Sequence, residues 1–194
     1  MSLDLLRLGP SPSRINPIDS RLAPLFCVAL LTVSCAVASF AFACATPFAA
    51  FAVVASALLA LPSALLVVGA AWIVNQSIGF GALGYPHNTT TLLWGLAIGL
   101  AALTATVCAK AVLRAWTRPN TVIGLTSAVV AAYASYEVVL LAFTPALGGA
   151  GAFTATIVTR LGLLNVLWLI GLILVCMLLQ RATILWQRQA EFRT

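Results

Sequence analysis

The apolar positions of this chain run together in long stretches, separated by short polar or glycine-rich breaks. Residues 22–75 form a nearly uncharged stretch. At about 1.5 Å of rise per residue, it is long enough for two membrane crossings. Pro47, inside Ala45-Thr46-Pro47-Phe48, is the best break and predicts helices over 23–45 and 49–73. Pro62 then falls inside the second and should kink it. Residues 75–91 carry no Asp, Glu, Lys or Arg. Gly79, Gly81, Gly84 and Pro86 argue against a continuous helix there. Ile78, Phe80, Leu83 and Tyr85 keep this loop apolar, so it should tuck against the bundle. Asn88 to Thr91 offer N-caps for the next helix.

A third span is expected over 92–113. Its Gly95 and Gly99 form a G-x-x-x-G face that permits close helix contact. A fourth follows over 121–143, a glycine-rich connection over 144–156, and a fifth span over 157–179. The pattern predicts an all-α integral membrane protein, a compact bundle of about five transmembrane helices. The alternative is four spans plus a re-entrant segment broken at Pro62. The expected division is a polar N-terminal tail over 1–21, a transmembrane domain over 22–186 and a C-terminal tail over 187–194. Ala43-Cys44-Ala45 resembles a signal-peptide cleavage site. The polar stretch before it is too long for one, so an uncleaved chain is expected.

Composition sharpens this picture. Hydrophobic residues make up 62% of the chain and charged residues only 7%. A soluble domain usually has about 25% charged residues. So few charges could not cover a soluble surface. The net charge of +6 comes mostly from basic residues beside apolar runs. There they meet lipid headgroups. No clustered basic patch exists, so membrane lipid is the expected partner and nucleic acid is not. The five cysteines form no CxxC pair, and there is one histidine. Neither gives a metal-ligand pattern, so no metal or other cofactor is expected.

Charge also raises a conflict. The loop 110–120 and the C-terminal tail share one face, with Lys110, Arg114, Arg118, Arg181, Arg188 and Arg193. The positive-inside rule makes that face cytoplasmic, in a bacterial inner membrane. Five full crossings would then put Arg7, Arg14 and Arg21 outside. A single crossing plus a re-entry over 22–75 would keep them inside.

Candidate chemistry centres on Glu137, the one acidic residue between Asp19 and Glu191. A carboxyl inside a membrane is costly and marks a functional site by default. It falls six residues before the expected end of its span, roughly 9 Å deep. Arg160 opens the next helix on the same face, within reach of an ion pair. Asn165 lies a little over one turn deeper. Tyr133, four residues before Glu137, shares its side of the helix. Asn75 and His87 come from the loop at the same end. Together they suggest an outward-facing polar cavity for an ion or a small polar molecule. The competing reading makes Glu137 and Arg160 a structural lock, Asn75 a helix-end cap and His87 an interfacial residue. Asn88-Thr89-Thr90 matches the glycosylation sequon and is read as chance.

No P-loop, H-E-x-x-H, G-x-S-x-G or dinucleotide fingerprint is present. No nucleophile sits with a base, so no enzyme activity is expected. Two functions remain. One is a small membrane transport component, helped by a homo-oligomer or an energy-supplying partner because the chain is short. The other is an accessory or assembly subunit of a larger membrane complex.

Overall fold

A computed structural model describes residues 23–42, 45–116 and 120–191. They form helices α1 (Ala23–Phe42), α2 (Phe48–Leu58), α3 (Leu61–Ser77, continued by a π-helical turn at Ile78–Ala82), α4 (Thr89–Ala115), α5 (Thr121–Leu147) and α6 (Ala155–Glu191). Among the described residues, 5 helical stretches are long and apolar enough to cross a membrane: Leu25–Phe42, Leu61–Ala82, Thr89–Ala115, Thr121–Leu147 and Ala155–Leu179. The chain is therefore an all-α, multi-pass membrane protein. The N-terminal tail, Cys44, Arg118 and Arg193 lie outside the described residues.

The remaining helix, α2, departs from expectation. The second span does not cover 49–73 with a kink at Pro62. The chain leaves helical geometry at Leu59 and Ala60, both extended, and Pro62 stands in the first turn of α3. Proline is suited there, because its fixed φ matches the helix and its missing N–H needs no partner. Two helices result. The first has 11 residues. At a rise of about 1.5 Å per residue its length is about 16 Å, well short of a membrane core. The second runs on to Ala82.

Every residue of α2 from Phe48 to Ser56 is buried. This short helix is the central post of the bundle, packed by α3, α4, α5 and α6, with α1 touching it more lightly. Its sequence explains the fit. The alanines at 49, 50, 52 and 55 are buried, and Phe48 and Phe51 fill the remaining space. Small residues let neighbouring backbones approach. The outer faces of the surrounding helices stay apolar, with Leu66 and Val122 among the most exposed side chains, and they meet lipid.

Hydrogen bonds fix the direction of each leg. Cys35 Sγ donates to Ala71 O, and Asn75 Nδ2 donates to Ser39 Oγ. The two bonds keep the same sequence offset, so α1 and α3 run parallel. Between them the chain returns through α2. Ser56 Oγ donates to Thr106 O at 3.0 Å, aligning α2 with α4. The path is up α1, down α2, up α3, and down α4. The start of α1 therefore lies at the end of the bundle that holds Lys110 and Arg114. Arg7, Arg14 and Arg21, on which the expected charge conflict rests, lie outside the described residues.

The G-x-x-x-G face of α4 receives α3. A Cβ added at Gly99 would meet the Trp72 ring at 2.7 Å, and one added at Gly95 would meet Gln76 Oε1 at 2.5 Å. Trp72 Nε1 also donates to Gly95 O at 2.9 Å.

Two predicted boundaries move outward. The glycines after Asn75 do not end the helix there. A π-helical turn carries it to Ala82, and Tyr85 N then bonds Gly79 O. α5 passes the expected end at 143 and runs through Pro145 to Leu147. Pro145 cannot donate to Leu141 O. Thr144 Oγ1 supplies that bond at 2.8 Å. Gly148 and Gly149, both at positive φ, then end the helix. Glycine adopts that geometry without steric cost. Asn88 caps α4 as expected, accepting from Thr91 N at 2.8 Å.

Candidate functional site

The candidate polar residues separate into two groups when placed in the fold. The first group ties helices together. Asn75 Nδ2 donates to both Ser39 Oγ at 2.9 Å and Thr46 Oγ1 at 2.8 Å, while Asn75 Oδ1 accepts from Gln76 Nε2. This network pins the end of α1 and the entry to α2 onto α3. Asn165 works from α6. Its Oδ1 accepts from Ala50 N at 3.1 Å, and its Nδ2 donates to Leu161 O at 3.0 Å. Ala50 lies in the first turn of α2, where Pro47 provides no side-chain cap. Asn165 is thus an N-cap supplied from another helix, relieving one of the orphan donors of a buried helix start.

Lys110 does the equivalent at the other end of α2. Its Nζ donates to Ser56 O at 2.7 Å and to Leu59 O at 2.6 Å. These carbonyls lose helical partners where α2 stops, and an ammonium is favoured at the negative end of the helix dipole. In the sequence, Lys110 reads only as a headgroup anchor. The signal that it does more is its place before the end of an apolar run, opposite the break around Pro62.

The second group sits at the seam between α5 and α6. Because α5 extends to Leu147, Glu137 lies ten residues from that end. At about 1.5 Å per residue it is about 15 Å along the helix from that end, against the roughly 9 Å expected. It is half-buried. Tyr133 lies one turn earlier on the same side of the helix, close enough to interact with the carboxyl. Tyr133 Oη donates across the seam to Val158 O at 2.6 Å. The Tyr133 ring rests on Gly162, where a Cβ would approach to 3.0 Å. Tyr136, buried beside them, stacks on Phe48 at the start of α2, with ring centroids 6.3 Å apart. Glu137 therefore lies beside the junction of α5, α6 and the buried start of α2.

Arg160 is exposed on α6 and lines an open surface depression with Ala155, Thr156, Thr159 and Leu163. Among the described residues it forms no ion pair with Glu137, whose neighbour is Tyr133. His87 is exposed in the short loop before α4, its ring 5.3 Å from Phe80. The structure brings Tyr133 and Glu137 together, with Asn165 about a turn along α6 from Gly162. It leaves Arg160, Asn75 and His87 in separate surroundings. Among the described residues no group of three His, Cys, Asp or Glu side chains gathers to hold a metal.

Comparison with protein-family models, curated proteins and solved structures finds no match for this chain.

Proposed function

We propose that this protein is a small membrane transport component that handles an ion at Glu137. The observation that carries this reading is a half-buried carboxyl within a membrane-spanning helix, with no cationic side chain paired to it among the described residues. A carboxyl within a membrane span is retained against its desolvation cost when ions or protons use it. The buried short helix beside it adds support. Interrupted helices in transporters leave backbone ends inside the membrane, next to the transported ion. A single carboxyl suits an ion or a small polar molecule. The basic ends of α4 and α6 face the cytoplasm of a bacterial inner membrane in this reading. The protein performs no covalent chemistry, and so short a chain works as a homo-oligomer or beside partner subunits.

A second reading, an accessory subunit of a membrane complex, is favoured by one observation. Asn75, Asn165 and Lys110 all use their hydrogen bonds to lock helices, as a scaffold would require. Reconstitution of the purified chain into liposomes separates the two. The transport reading expects ion flux in the wild type and at least a tenfold loss in Glu137→Gln. Absence of flux, together with a stoichiometric membrane partner retained in mild detergent, would select the accessory reading.

A further inference from the structure

We infer that the ion held at Glu137 is a proton, and that Tyr133 is the positioning residue that couples its presence to closure of the α5–α6 seam. This rests on the transport reading for its purpose, and on the geometry of one hydroxyl for its mechanism.

A tyrosine hydroxyl has a single hydrogen to donate. Two acceptors compete for it here. In this structure the hydrogen goes across the seam to Val158 O at 2.6 Å, while Glu137 follows Tyr133 by four residues on the same side of α5, within a side chain's reach of the hydroxyl. Hydrogen bonds to an ionised carboxylate are roughly twice as strong as those between neutral groups. An ionised Glu137 would therefore take the hydrogen from Val158. The bond to Val158 belongs to the state in which Glu137 is neutral. Proton loss from the carboxyl turns the hydroxyl toward Glu137, and proton gain returns it to Val158. Tyr133 keeps its own proton throughout, so only the Glu137 proton is carried.

The donor set also speaks for a proton. Among the described residues Glu137 belongs to no group of three His, Cys, Asp or Glu side chains that could hold a metal ion. Calcium and magnesium sites draw on several oxygen ligands, carboxylates prominent among them, so a lone carboxyl suits neither. The neighbouring elements add no competing charge inside the seam. α2 carries no titratable side chain, and Tyr136 faces Phe48. Arg160 on α6 is exposed, and Lys110 on α4 is bonded to the opposite end of α2.

The seam is built to respond. α6 packs more extensively on α2 than on α5. Tyr133 meets α6 through its hydroxyl at Val158 and its ring at Gly162. Further along, Asn165 holds α6 to Ala50 of α2. Release of Val158 frees the outer part of α6, residues 155–163, while the Asn165 clamp retains the rest.

Two measurements on the full chain in lipid nanodiscs test this without requiring transport. Infrared difference spectra between acidic and alkaline buffer should show a protonated-carboxyl stretch that is lost as pH rises and is missing in Glu137→Gln. Amide exchange over 155–163, corrected for its intrinsic pH dependence, should increase several-fold in the wild type over the same pH interval. It should stay slow in Glu137→Gln and fast at every pH in Tyr133→Phe. If Tyr133→Phe does not fold, the contrast between wild type and Glu137→Gln still decides. The inference is overturned if no titrating carboxyl band depends on Glu137, or if exchange over 155–163 has the same pH profile in the wild type and Glu137→Gln. Liposomes carrying wild-type protein but showing no flux would remove the transport reading alone. Glu137-dependent flux of sodium without protons would remove the proton assignment alone.

Discussion

The two sides of α2 are built on different principles. On the side of α1, α3 and α4, small residues bring backbones into contact and polar side chains close the junctions. Trp72 bonds Gly95 O, Ser56 bonds Thr106 O, Asn75 joins Ser39 to Thr46, and Lys110 holds the end of α2. On the side of α5 and α6, the contact between the two helices is thin. It depends on Tyr133 reaching Val158 and on Gly162 admitting the tyrosine ring. The membrane-embedded carboxyl lies on this second side. The contrast separates scaffold from site. In lipid there is no hydrophobic drive between helices, so close packing and hydrogen bonds set the rigidity of each region. The α5–α6 seam, where both are sparse, is where the proposed movement would occur, while α5 itself packs extensively on α4.

The comparison can be broken from either side. The largest loss of stability is expected for Lys110→Met. It leaves the Ser56 and Leu59 carbonyls without their ammonium and should cost about 2–3 kcal/mol in a denaturation titration in mixed micelles. Lys110→Arg should recover part of that. Gly99→Leu should follow at about 1–3 kcal/mol, because its side chain must displace Trp72 from the α3–α4 contact. Asn165→Ala removes the cap on Ala50 and should cost about 1 kcal/mol, with faster amide exchange confined to α6 and the first turn of α2. Tyr133→Phe should be the mildest, at about 0.6 kcal/mol, the average for an interhelical hydrogen bond in a membrane. The order of effects on flux should be reversed for this last variant, which is cheap for the fold and damaging at the seam. If Tyr133→Phe destabilises as strongly as Lys110→Met, the division into scaffold and seam is wrong.

Much of the fold was legible because a bilayer imposes a simple rule: each span must be long and apolar. The existence of the long helices follows from that rule. α2 does not, for a physical reason. Residues 48–73 are apolar on all sides, so no periodic polar face marks where one helix stops and the next begins. Pro62 is compatible both with a kink and with a helix start. Burial of α2 depends on tertiary contacts that no local pattern encodes. Likewise, a glycine count cannot reveal that a π-helical turn continues α3, nor that Thr144 replaces the bond Pro145 cannot make. At the site, the rarity of Glu137 was visible and its distance from the end of its helix was not, because that depends on where α5 ends. Tyr133 was placed on the correct side by its four-residue spacing, but its bond to Val158 needed the packing of α6 against α5. Arg160 matched Glu137 in charge and level, yet its direction around α6 leaves it on the outer surface.

The decisive experiment is proton flux into liposomes containing the purified chain, with an internal pH-sensitive dye and an imposed pH gradient, compared between wild type and Glu137→Gln. A proton site at Glu137 predicts flux above that of empty liposomes in the wild type, and a loss of at least tenfold in the variant while its folding is unchanged. Equal flux in the two proteins would contradict a transport role for Glu137, and none in either would contradict the transport reading.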